Sequence, residues 1–148
     1  MMSTPQLLAR AAALGAATGL RSSVGLATLV ARRHDRSLGV LSRPAAGPIA
    51  VLALGSELVI DKLPMTPSRL EPPGLASRVV FAAFAAAAFA RSESEFPVPA
   101  AVLASAIALV AAKAGHDARA ALGRRVPDVA VALAEDGVAL GLAAFATR

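Results

Sequence analysis

An all-α membrane fold is the architecture this chain predicts, and three observations carry it. Hydrophobic residues make up 56% of the 148 and the mean hydropathy is +0.62, where an ordinary soluble domain has roughly 45–50% apolar residues. The apolar residues are small: alanine dominates, with five Phe and no Trp or Tyr. A soluble core built this way would bury little area per side chain, whereas small side chains suit close helix packing in lipid. Finally, several charges stand inside or at the ends of the apolar stretches, where an ionisable group is expensive and marks a functional site by default. The length fits one domain, residues 1–148.

Five charge-poor segments follow in order, 5–31, 44–60, 75–90, 97–122 and 127–147. A span needs about 20 mostly apolar residues. The longest uncharged run is 96–112, so the first and fourth segments reach span length only with one internal charge or with snorkelling ends. The second and third are short enough to tilt or to cross halfway. The expectation is a small integral membrane bundle of about four to five transmembrane or half-spanning helices.

The first segment opens with an apolar stretch, 11–20, that could pass for a secretory signal. It has no basic region before it, and Arg10 stands where the apolar core should begin, so it is expected to be retained as the first helix. Gly15 and Gly19 form a small-xxx-small surface for tight helix contact. Arg21, set among Gly19, Ser22, Ser23 and Gly25, predicts a broken helix that exposes backbone at mid-depth. The competing account is ordinary packing, with Arg21 paired to Glu57 or Glu135. Arg32, Arg33, His34, Asp35, Arg36 and Arg43 then read as a solvated basic loop. With five crossings, Arg91 and Arg148 share its side while Lys62, Arg69, Arg78, Arg124 and Arg125 lie opposite, a balance that sets no orientation.

In the second segment Glu57 and Asp61 stand one helical turn apart on one face. Both lie toward a helix C-terminus, where the macrodipole disfavours negative charge. They call for a cation, a proton or an arginine from another helix, or else they mark the water boundary beside a snorkelling Lys62. Residues 63–74 hold four of the ten prolines and predict a stiff, extended connection. After the third segment, residues 91–95 read as a short solvated turn.

The fourth segment ends in a polar group containing Lys113, Gly115, His116, Asp117 and Arg119. His116 and Asp117 are adjacent and share no helical face unless the helix breaks near Gly115. Asp117 either orients a histidine or belongs to a polar helix end entering the interface, and one His without a second is no metal pattern. In the fifth segment Glu135 and Asp136 are consecutive carboxylates without a basic neighbour in the same helix. In low dielectric they would share protons or hold a cation. Alternatively Glu135 pairs with Arg119 or Arg21, and Asp136 sits at a bend before Gly137. Arg21 with Gly25 before Glu57 and Asp61 is echoed by Arg119 with Gly123 before Glu135 and Asp136, an arrangement expected of an inverted repeat.

Several classes are set aside. The formal charge of +5 and a pI near 11.3 raise nucleic acid as a partner, but the basic residues are scattered, with no stacking platform and no dense arm. Without cysteine there is neither disulfide nor thiolate metal site. No phosphate-binding loop, nucleophile elbow or paired metal-ligand motif is present, so no cofactor and no enzyme activity are expected.

Glu57-x-x-x-Asp61-Lys62-x-Pro64, followed by Pro67-Ser68-Arg69, Gly115 through Arg119 and Leu133-Ala134-Glu135-Asp136, resembles a family of small multipass bacterial membrane proteins labelled only as a domain of unknown function. The likeness covers residues 15–146. It implies an integral location in a bacterial cytoplasmic membrane and supplies no activity. This chain departs from the family around the second loop, where it has Pro72-Pro73-Gly74 in place of a fuller aromatic or histidine complement.

The resulting expectation is a small homo-oligomeric transporter or channel-like protein in the lipid bilayer. Glu57, Asp61, Glu135 and Asp136, balanced by Arg21 and Arg119 and accompanied by His116 and Asp117, would form a site for a proton, cation or small polar solute. The alternative is a structural or scaffolding membrane subunit whose charge pairs fix helix packing.

Overall fold

The computed structural model describes residues 2–32, 41–60, 70–123 and 125–148, apart from the side chains of Arg32, Leu54 and residues 56–60. Six helices make up these residues, with no strand among them: α1 (Thr4–Leu20), α2 (Val24–Arg32), α3 (Ala46–Ile60), α4 (Pro72–Ser92), α5 (Pro97–Leu122) and α6 (Asp128–Ala146). The side chain of Glu57, Asp61 and Lys62, the stretch 33–36 of the basic loop, and residues 63–69 of the proline-rich loop all lie outside the described residues.

The first expected segment is two helices rather than one. Helix α1 begins behind Ser3, whose N–H donates to Gln6 Oε1 at 3.1 Å, and it stops at Arg21, whose backbone is extended at φ −140°, ψ 113°. A straight continuation would carry Gly25 about 10 Å along the axis beyond Thr18. Instead Gly25 lies directly against Thr18 and Leu14, and Val24 clusters with Ala17, Ala139 and Ala143. The chain therefore doubles back, and α1 and α2 form a helical hairpin with residues 21–23 at its tip.

Register fixes the direction of the other helices. Gly15 meets Ala104 and Gly19 meets Ala108 and Ala111, so α1 and α5 run parallel. Arg10 reaches the Arg148 carbonyl and Arg21 reaches Asp136, so α6 runs antiparallel to α1. Helix α4 is antiparallel to α5 across the turn at residues 93–96, with Ser105 Oγ donating to the Val79 carbonyl at 3.4 Å. An inverted repeat would require α1 and α5 to point in opposite directions, so their parallel course gives the expected repeat no support.

The interior is made of small residues. The buried positions of α5 are Ala100, Ala104, Ala108 and Ala112, one per turn. They face Ala11, Gly15 and Gly19, so the two backbones touch: a Cβ on Gly15 would stand 2.7 Å from Ala104 Cα, and one on Gly19 2.9 Å from Ala108 Cα. Larger apolar side chains point outward, among them Val80, Phe84, Val102, Val110, Leu133 and Phe145. Helices α4, α5 and α6, with 21, 26 and 19 residues, are long and apolar enough to cross a membrane, yet only 39%, 22% and 28% of their most apolar stretches are buried. This suggests a membrane protein, because apolar surface of that extent needs an apolar surrounding.

Among the described residues three helices have spanning length, where four to five transmembrane or half-spanning helices were expected; α1 has 17 residues and the described part of α3 has 15. The third expected segment is longer than its apolar core, because Pro72 and Pro73 open α4 instead of extending the loop. Proline is tolerated there, where its missing N–H would have no partner within the helix. At the far end Ser94, at φ 61°, lets Glu95 N–H reach the Ala90 carbonyl and closes α4.

Candidate functional site

The hairpin tip lies level with the middle of the long helices. Asp136, which it meets, is the ninth of nineteen residues in α6. By axial rise the tip falls about 12 Å short of the start of α6 and about 9 Å short of the start of α4. A helix that ends there presents its last carbonyls inside the bundle, where each needs a donor.

Arg21 and Arg78 meet Asp136 and the end of α1 at this level, and a second pair, Arg119 with Glu135, lies on α5 and α6 toward the start of α6. Arg21, 1% exposed, donates from Nε to Asp136 Oδ1 at 2.5 Å. Arg78, 3% exposed, donates from Nη1 to the carbonyl of Gly19 at 2.6 Å. That bond satisfies a terminal carbonyl of α1 and places positive charge at the negative end of its dipole. Arg119 donates from Nη2 to Glu135 Oε2 at 2.7 Å and lies 3.9 Å from the exposed Asp128. Glu135 can approach α5 because Gly115 carries no side chain; a Cβ there would stand 2.9 Å from Glu135 Oε1.

Consecutive residues on a helix point about 100° apart, and this is how the adjacent carboxylates of α6 find separate partners. Asp136 faces the break in α1, while Glu135 faces α5. Each accepts from a guanidinium, Asp136 from Arg21 and Glu135 from Arg119, so two unneutralised like charges are not held together. Glu135 pairs with Arg119 as one reading had it. Arg21 donates to Asp136, a partner that the sequence reading did not name, while the Glu57 side chain lies outside the described residues; Asp136 lies in continuous helix rather than at a bend before Gly137. Helix α6 keeps its hydrogen bonds through Gly137, and a carboxylate at mid-helix faces Arg21 without any bend.

His116 and Asp117 are not part of this group. Helix α5 is unbroken at Gly115, and both residues are exposed, with Asp117 accepting from Lys113 Nζ at 2.8 Å one turn away. Among the described residues, no three His, Asp or Glu side chains come together in a way that could hold a metal ion.

Arg78 is the member of the site that sequence reasoning missed, having been counted among the loop cations. A signal was available. Arg78 stands alone among Ala and Val inside the third apolar segment, as Arg21 does in the first.

Thr18 adds a second polar feature. It is fully buried, and its hydroxyl has no hydrogen-bond partner among the described residues. Gly25 accommodates it, since any side chain at that position would collide with Thr18 Oγ1.

No protein-family model, no curated protein and no solved structure matches this chain.

Proposed function

We propose that this chain is a small membrane protein of the kind it resembles in sequence, and that α1 and α2 enter the bilayer and return without crossing it. The hairpin tip would present a site for a proton, cation or small polar solute in a transporter or channel-like assembly. The observation that supports this best is the helix break at the level of mid-α6, with the buried Arg21 donating to the partly buried Asp136 there. Broken helices with charged partners at mid-depth are what secondary transporters use to bind polar cargo in lipid. One chain encloses little volume, so a homo-oligomer belongs to this reading, as do Glu57 and Asp61.

Orientation follows from the hairpin. The start of α1, the turn after α4 and Arg148 all lie at one end of the bundle, together with Arg10 and Arg91. Arg78 drops out of the opposite count, because it is buried inside. The more basic end would then face the cytoplasm of a bacterial cell.

The test is reconstitution of wild type, Asp136→Asn and Glu135→Gln into liposomes, with proton and potassium flux followed by an entrapped dye. The expected result is wild-type flux that Asp136→Asn abolishes while helix content and oligomer size stay unchanged. Wild-type flux no greater than that of empty liposomes, or undiminished flux in both variants, overturns the reading.

One observation favours the scaffolding alternative: Arg21 bridges to Asp136 and Arg119 to Glu135 within one chain, each pair tying two helices together. In that case both substitutions would disrupt assembly equally, and no flux would be seen in wild type.

A further inference from the structure

Two hollows lie side by side where α2, α3 and α4 meet, away from the charged tip. One, of about 430 Å³, is walled by Leu26 and Val30 of α2, Ile49 and Ala53 of α3 and Phe81 of α4, with Ser23 and Arg43 as its polar residues. The other, of about 330 Å³, lies against Ala31, Gly47 and Val51. They share a wall made by Ala27, Val30, Leu41 and Arg43. Arg43 is the charged residue common to both, it is exposed, and among the described residues no acidic side chain pairs with it.

The position of Arg43 gives the pair of hollows a polarity. Helix α2 leads back toward the end of the bundle where α1 begins, and Leu41 packs against the cluster that contains Leu7 and Ala90. Arg43 therefore marks the end at which Arg10, Arg91 and Arg148 also lie, and Ser23 marks the deep end at the hairpin tip. Gly47, in the first turn of α3, lines the second hollow close to Arg43. The positive end of the α3 dipole thus adds to the guanidinium at one place. Two adjoining, mostly apolar hollows with one cationic residue in their shared wall match a molecule with two apolar chains and one anionic head.

We infer that this groove binds an anionic phospholipid, one acyl chain in each hollow, with its phosphate on Arg43 and the start of α3. Charge complementarity distinguishes this from general solvation by lipid, which asks only for an apolar surface. A basic pocket between helices at the membrane surface is a recognised means of selecting anionic headgroups. The inference rests on the membrane location alone and is independent of any flux through the hairpin tip.

The test uses delipidated full-length protein in neutral detergent, titrated separately with phosphatidylglycerol, with phosphatidylcholine of the same chains, and with inorganic phosphate. Thermal unfolding and native mass are the readouts. Phosphatidylglycerol is expected to raise the melting temperature and to add one lipid mass per chain, with at least tenfold weaker binding of phosphatidylcholine. Arg43→Gln should remove that preference while leaving the lipid-free melting temperature unchanged, because the side chain is exposed. Ala50→Phe, which fills the larger hollow, should weaken both lipids together. Equal binding of the two lipids, an unaltered preference in Arg43→Gln, or saturation by inorganic phosphate alone overturns the inference.

Discussion

Helix α1 meets its neighbours in two different ways along its length. From Leu7 to Thr18 it lies against α5 with almost nothing between the backbones, Ala11 and Gly15 sharing a cluster and a seam with Ala100 and Ala104. From Gly19 to Ser23 the chain meets α4 and α6 through charge, with Arg78 on the Gly19 carbonyl and Arg21 on Asp136. The first half is specified by what the side chains lack and the second by what they carry. A small-residue seam tolerates any chemistry that stays small, whereas a buried ion pair tolerates changes of size only while both partners remain.

The sharpest way to break this contrast is to remove one partner of the tip. Asp136→Ala removes the carboxylate to which the buried Arg21 donates, which should cost about 3–5 kcal/mol; denaturant unfolding in detergent measures it. The double variant Arg21→Met, Asp136→Ala should recover most of that loss, since replacing a buried pair by apolar groups is often nearly neutral. If it recovers nothing, the two residues do not act as a pair.

The seam is probed by adding bulk. Gly15→Ala pushes a methyl into the Ala104 backbone, which cannot move as a side chain can, and should cost about 1–3 kcal/mol in the same assay. Gly137→Ala and Gly141→Ala, in open space on the outer face of α6, should instead be neutral or slightly stabilising, because Ala favours helix over Gly by about 1 kcal/mol. A loss at the outer glycines matching that at Gly15 would mean that the outer face is also packed.

Arg78→Met tests the cap on α1. Removing the donor to the Gly19 carbonyl should cost about 1–3 kcal/mol and increase amide exchange in residues 19–23 ahead of the rest of α1. The smallest effect is expected at Thr18→Val, within about 0.5 kcal/mol of wild type, because a buried hydroxyl without a partner contributes no hydrogen bond to lose. A destabilisation above 1 kcal/mol there would show that the hydroxyl is engaged.

Much of the first half of this contrast was legible in the residues. Gly15 and Gly19 at a spacing of four announced a tight surface, and they make one with Ala104 and Ala108. Arg21 among glycine and serine announced a break, and the helix ends there. The sequence did not reveal that the chain turns back at the break. A kinked helix and a hairpin share the same local composition, and they differ only in whether Gly25 meets Thr18 or lies a further two turns along. Pairing was half legible for a related reason. Glu135 with Arg119 bridges neighbouring helices, but the bond from Arg21 to Asp136 depends on the rotation of α6, which no spacing within α1 encodes. Arg78 was visible as a lone cation in an apolar run, but its target is a backbone carbonyl, and sequence does not advertise carbonyls.

By itself the sequence determined the helical class, the small-residue composition of the interior and the presence of costly charges in apolar stretches, because these depend on side-chain size, propensity and transfer energy one residue at a time. Only the tertiary structure decided that α1 runs parallel to α5, that α2 folds back, and which guanidinium answers each carboxylate. Those outcomes depend on the direction and rotation of helices more than one hundred residues apart in the chain, as Arg21 and Asp136 are, and such quantities are set by packing between elements rather than within them.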